Sequence, residues 1–215
     1  MSEQFVLKRG LQNIFAAEIL TDDNAEDGGY KFETPFHLIP AGEMTRNAEN
    51  EKVDTYFDNT VFASVGKEGA TEVSITGAAL RPEALAKLNN KYVDPTTGAV
   101  LDTGEYKPKY FALGGEADSH DGTKELFWFM KGTFAIPEQA DKTEDDSTDT
   151  NGMTLTYSAI KTAHLFDING EKKPMKRVVI DTATTVLKAD QDWTKQVVTP
   201  ENLAEIVQKA TAAAQ

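Results

Sequence analysis

The chain has 215 residues, long enough to bury a substantial core, and no cysteine, which excludes disulfide staples and thiolate metal sites. Its 35 acidic residues outnumber 22 basic ones, and a formal charge of -13 argues against ordinary nucleic-acid binding, where basic groups neutralise phosphates. The N-terminal MSEQFVLKRG lacks a secretory apolar region, and no run of about 18 apolar residues occurs, so a non-exported chain with no membrane partner is expected.

Asn13 to Leu20 and Tyr30 to Ile39 are apolar-rich and read as strands either side of an exposed acidic loop, Thr21 to Gly29. Pro35 limits how far the second can pair as a central strand. Glu43 to Phe57 is polar at first and then alternates, and Asp58-Asn59 reads as a turn. In Thr71 to Leu80 the alternation is clearest: Val73, Ile75, Gly77 and Ala79 face one way, and Glu72, Ser74 and Thr76 the other. Pro82 then opens a helical pattern in which Leu85, Leu88 and Tyr92 recur at spacings of three and four, predicting about three turns over one sheet face. Asp94 to Gly98 marks a turn, followed by loop or a small hairpin to Glu105.

Tyr110 to Leu113 and Leu126 to Met130 are continuous apolar runs, expected to be covered on both faces. They read as a long hairpin whose turn runs from Gly114-Gly115 through Gly122. Pro137 to Asn151 holds six acids, one lysine and no apolar residue beyond Ala140, the composition of a mobile exposed loop. Strands resume at Met153 to Ala159 and Met175 to Asp181. Thr199-Pro200 opens a second predicted helix with the stripe Leu203, Ile206, Val207 and Ala210, and the polar connector before it would let that helix dock away from the core. The predicted organisation is a β domain over residues 1–190 and a helical C-terminal extension over residues 191–215.

Chemical motifs are sparse. Asp118-Ser119-His120-Asp121 places nucleophile, base and acid types side by side, but neighbours in a turn do not converge as a triad must, so the group reads as a polar hairpin turn. His37 and His164 have no ligand partner at metal spacing and read as strand-edge residues. Ser147, Asp149, Asn151 and Gly152 match early positions of a calcium loop, but Ser158 stands where glutamate is needed. Asp23, Asp27 and Gly28 fail likewise because of Ala25 and Thr34. Lys172, Lys173, Lys176 and Arg177 form the nearest basic cluster, which reads as solvated lysines beside an Asn169-Gly170 turn. No catalytic residue, cofactor or metal is expected.

The succession of segments resembles a known family. Gly10-Leu11-Gln12-Asn13-Ile14, Thr34-Pro35 leading to Ile39-Pro40-Ala41-Gly42, Tyr56-Phe57-Asp58-Asn59 and Glu72 to Gly77 follow the order of the major tail protein of long, non-contractile-tailed bacteriophages. Tyr110 to Leu113, Lys131-Gly132-Thr133-Phe134 and Thr154 to Tyr157 continue it, so the likeness covers roughly Lys8 to Asp181. The resemblance implies a mainly β tail-tube core, sandwich- or barrel-like, with a flanking helix, long loops and a C-terminal helix as a departure. It implies a virion protein assembled in the host cytoplasm as stacked hexameric rings around a tape-measure protein, joined by tail terminator and tip proteins, with DNA passing through the lumen. Candidate inter-subunit or inter-ring contacts are Tyr56, Phe57, Asp58 and Asn59, with Asp141, Glu144, Asp145, Asp146 and Asp149 of the acidic stretch. The alternatives are a virion-associated carbohydrate- or receptor-binding β-sandwich, which calls for exposed aromatics on a loop platform, and an enzyme using Asp118 and His120.

Overall fold

Lys8–Asp23 forms one 16-residue strand, β1, that starts well before the expected Asn13. A register shift between Gln12 and Phe15, with Asn13 at φ 51, reconciles the polar start with the apolar second half. Such a bulge re-aims successive side chains without ending the strand. The computed structural model describes residues 5–25, 29–57, 60–105, 107–137, 152–188 and 192–210. Its elements continue as β2 (Gly29–Phe32), β3 (Phe36–His37), β4 (Ala41–Phe57), β5 (Thr60–Ala78), α1 (Pro82–Leu88), β6 (Tyr92–Val93) and β7 (Val100–Leu101). Then come β8 (Phe111–Ser119), β9 (Lys124–Phe134), β10 (Gly152–Ile160), β11 (Leu165–Ile168), β12 (Glu171–Pro174), β13 (Arg177–Asp181), β14 (Thr185–Leu187), α2 (Leu203–Ile206) and β15 (Val207–Lys209).

The chain is mainly β, as expected. Its principal sheet is antiparallel in the order β2-β1-β8-β9-β10-β5-β4, with β3 beside β1 and β13 beside β9. One edge of β9 is divided: Lys131 to Phe134 pair with β10, and Glu125 to Phe129 pair with β13. Pro35 falls between β2 and β3, where the missing N–H interrupts the ladder. At the far edge the sheet curls until β4 lies close to β1, and Glu125 binds both Lys8 Nζ (2.5 Å) and Arg46 Nη1 (2.9 Å) across the gap.

Both faces of the central strands are buried, and period-two alternation decides which side chain serves which. Val73, Ile75, Leu113, Phe127, Phe129, Leu155 and Tyr157 enter one core, under Leu85 and Leu88 of α1. Leu126, Trp128 and Met130 enter the other with Phe166, Ile180, Trp193, Val197, Val198 and Ile206. Each fully buried large side chain contributes roughly 1.5–3 kcal/mol, so the aromatic run in β9 stabilises both layers at once.

Three expectations are corrected in detail. The first helix is seven residues, not three turns: Asn90 adopts φ 54, the helix stops at Leu88, and Tyr92 lies on β6 at 59% exposure. Gly114 and Gly115 lie inside β8, because the rings of Trp128 and Phe127 press on their Cα atoms, and the turn is confined to His120 to Thr123, with Gly122 at φ 83. The second helix is a single turn. After Ile206 the chain becomes extended, because β14 offers backbone partners: Lys188 N–H donates to Ile206 O and Ala210 N–H to Thr184 O. Its apolar residues do not dock elsewhere; Ile206 and Val207 are buried on this sheet.

Candidate functional site

The feature that stands out from this double core is the hairpin of β4 and β5. β5 pairs with β10 only over Thr71 to Ala78, whereas β4 and β5 remain paired, through three register shifts, from Ala41↔Gly77 out to Phe57↔Thr60. From Asn50↔Glu68 outward, therefore, the strands have only each other as sheet neighbours among the described residues. Eight residues at the ordinary rise of a strand make this a two-stranded arm about 25 Å long. A register shift between Ala48 and Asn50 marks its base, where a bulge twists the strand out of the sheet. The root is fastened by Lys176, whose Nζ donates to Glu68 Oε1 (2.7 Å) and Gly69 O (2.9 Å). That ammonium holds the Glu68 carboxyl below the ordinary carboxylate range.

Tyr56 and Phe57 are the last residues of β4, paired with Val61 and Thr60 at the distal end of the arm. Asp58 and Asn59 lie outside the described residues, as do Asp141, Glu144, Asp145, Asp146 and Asp149. Of the stretch Pro137 to Asn151, only Pro137 is described. Ile136 beside it is 58% exposed.

Three carboxylates knit the remaining surface together. Asp22 accepts from Lys131 Nζ (2.6 Å), Ala163 N (2.9 Å) and His164 N (2.8 Å), clamping the β1–β2 hairpin to the segment before β11. Burial pushes its carboxyl up, but these donors outweigh that and leave it below the ordinary value. Tyr30 sits beside it, its phenol raised by burial and then by the Asp22 charge, and donates to Met130 O. Glu116 accepts from Asn13 Nδ2 (3.0 Å), Trp193 Nε1 (3.0 Å) and Lys124 Nζ (2.7 Å), tying the C-terminal segment to the sheet. Glu125 is raised by burial but held low overall by Lys8 and Arg46, and the Arg46 guanidinium also lies 3.9 Å from the Phe127 ring centre.

The residues of the enzyme alternative are engaged separately. Asp118 accepts from Gln12, Ser119 N–H donates to Thr123 O, His120 Nδ1 accepts from Leu7 N (3.2 Å), and Asp121 accepts from Thr123 N and Oγ1. Among the described residues no group of three or more His, Asp or Glu side chains is arranged to hold a metal ion. His37 packs at right angles to Phe15, and His164 lies between Asp23 O (2.8 Å) and Glu201 Oε1 (3.3 Å) with the Phe166 ring perpendicular to it. Of the basic cluster, Lys173 pairs with Glu171, Lys176 fastens the arm, and the Arg177 guanidinium lies 5.7 Å from the Phe129 ring centre. The turn between β11 and β12 is formed by Asn169 and Gly170, both at positive φ, as a tight hairpin requires.

No protein-family model matches the chain, and comparison with curated proteins returns no match. No described helix is long and apolar enough to cross a membrane. Sequence reasoning marked the tip of the arm but not its length. The signal was available in the absence of proline between Ala41 and Ala78, a 38-residue stretch broken only at Asp58-Asn59. The carboxylate clamps had no such signal, because their partners lie about a hundred residues apart in sequence.

Proposed function

We propose that this chain is a structural virion protein that polymerises as stacked hexameric rings to form a phage tail tube, a conduit for DNA ejection. The observation that carries the reading is the two-stranded arm, rooted by Lys176 and ending in the candidate contacts Tyr56 and Phe57. A pair of strands with free backbone edges is a template for pairing with another chain, and natural proteins usually blunt such edges unless a partner covers them. The strand succession named above gives that partner as further copies of the same chain. The net charge of -13 suits a conduit, because negative potential repels phosphate over about a Debye length, roughly 10 Å at moderate salt.

In this reading the tape-measure protein, the tail terminator and the tip proteins are the other partners, and assembly precedes incorporation in the virion tail. A carbohydrate- or receptor-binding module is the second reading, and the larger aromatic set favours the first: Phe111, Phe127, Trp128, Phe129, Phe134 and Tyr157 are fully buried in the cores, with Phe5, Tyr92 and Tyr110 exposed on three separate segments of the chain. Electron microscopy of the purified protein across a concentration series, with sedimentation velocity in parallel, tests the proposal. Six-membered rings or tubes are expected; a strictly monomeric protein at every concentration, with tail partners added, overturns it.

A further inference from the structure

At His164 both ring nitrogens face acceptors: Nδ1 lies 2.8 Å from Asp23 O and Nε2 lies 3.3 Å from Glu201 Oε1. A backbone carbonyl never donates, and an ionised carboxylate only accepts. The neutral ring has a single N–H, so one of its two contacts then sets a bare nitrogen lone pair against an oxygen, whereas the ring with both protons donates to each. The second proton makes a bond that the first cannot.

The residue is held in this place from several sides. Its backbone N–H donates to Asp22 Oδ1 (2.8 Å), its carbonyl accepts from Thr162 Oγ1 (2.8 Å), and the next residue, Leu165, donates its N–H to Asn24 Oδ1 (2.8 Å). The Phe166 ring stands perpendicular to the imidazole with centres 4.7 Å apart, and the His164 side chain is 14% exposed. The charged groups on the packed elements are few. β1 brings Asp22 and Asp23, the C-terminal segment brings Glu201, and β9 brings Lys131, which is spent on Asp22 at 2.6 Å. On β12, Lys173 stands opposite Phe166 and pairs with Glu171, and the Tyr30 phenol of β2 beside Asp22 is kept neutral by burial. Carboxylates thus outnumber uncommitted cations around the ring, which suits a ring that carries the second proton.

We propose that His164 is a proton-operated clasp: on taking up its second proton it ties Glu201, and with it the turn leading into α2, to the end of β1. The rest of the C-terminal segment is seated without an imidazole, by the burial of Trp193, Val197, Val198 and Ile206 and by Trp193 Nε1 on Glu116. The clasp therefore acts on one turn and in one direction, closing as pH falls and opening as it rises. It belongs to the single chain and does not depend on the assembly reading above.

The full-length protein is titrated between about pH 8 and about pH 5, the range in which imidazoles change charge, with nitrogen NMR to distinguish rings bearing one proton from rings bearing two. His37→Gln and His120→Gln, both at exposed positions, assign the other two histidines and leave the third signal to His164. Glu201→Gln removes the charge and keeps an acceptor, and with Glu201 61% exposed the variant is expected to fold. The expected result is an affinity of His164 for its second proton about threefold lower in Glu201→Gln than in the parent, the size of a partly exposed ion pair. Hydrogen exchange supplies the second readout, at the amides of Leu203, Glu205 and Ile206 that close the turn. After correction for intrinsic exchange, their protection is expected to rise as His164 takes up its proton in the parent and to show no such step in Glu201→Gln. A ring that stays singly protonated down to about pH 5, or equal proton affinity in parent and variant, overturns the clasp. Proton uptake with no step in exchange at the turn also overturns it, because the imidazole then holds nothing.

Discussion

Gly114 and Gly115 carry more structural consequence than their sequence neighbourhood suggests. A Cβ on Gly114 would stand 2.7 Å from the Trp128 ring, and one on Gly115 2.6 Å from Phe127 and 2.7 Å from Ile14. Both cores are thus packed against bare backbone at the same point of β8. Gly114→Ala or Gly115→Ala is expected to cost about 1–3 kcal/mol through overpacking, read as a lower urea midpoint at unchanged slope. Asp22 makes a pH-dependent contribution. Its carboxyl is lowered in the folded state, so the stability it supplies is complete above the ordinary aspartate value of about 3.9 and is lost as pH falls through the lower folded value. Asp22→Asn is therefore expected to cost about 2 kcal/mol at neutral pH. The gap between variant and parent should close as acid titrations pass below about pH 3.9; a gap that persists unchanged in acid would show that the ionised carboxylate is not its source.

At the scale of elements, the arm is separable from the fold. Neither strand beyond the Asn50↔Glu68 pair has a third sheet neighbour among the described residues, whereas Thr71 to Ala78 are held between β4 and β10. Replacing residues 51–67 with a two-residue Asn-Gly turn closes the hairpin at that pair with the geometry such turns favour. The shortened protein is expected to melt within about 4 °C of the parent, since no described core residue is removed, and to lose self-association in sedimentation. Association undiminished in the shortened chain would exclude the arm as an assembly element. Lys176→Ala tests the root more gently: it removes the bonds to Glu68 and Gly69, and protease susceptibility should rise at the arm while the melting transition of the two cores, to which Lys176 does not belong, stays cooperative.

For the whole molecule, the charge of -13 sets the interaction with DNA. Of the four residues of the basic cluster, three have neighbours within the chain: Lys173 pairs with Glu171, Lys176 with the arm, and Arg177 lies beside the Phe129 ring. Duplex DNA is expected to show no binding in an anisotropy titration at low salt, where counterion release would favour any basic surface most strongly. Binding that disappears on neutralising Lys172, Lys173, Lys176 and Arg177 would establish a nucleic-acid surface and defeat the repulsive-conduit argument.

Period-two patterning was legible wherever one residue type marked one face: Val73 and Ile75 in β5, Met153 to Ala159 in β10, and the two-sided apolar run of β9 all lie where the alternation put them. The sequence alone also determined the mainly β class, the position of Pro82 at a helix start and the tight Asn169-Gly170 turn, because each depends on local backbone preference. Tertiary structure decided the rest. Gly114-Gly115 has the local chemistry of a turn, but the rings across β9 need the space and draw the pair into a strand. Ile206 to Ala210 has the periodicity of a helix, but β14 supplies backbone partners that a helix there would forgo. The Asp22 and Glu116 clamps join residues about a hundred positions apart, and only the folded sheet brings their donors within bonding distance, so no local pattern could announce them.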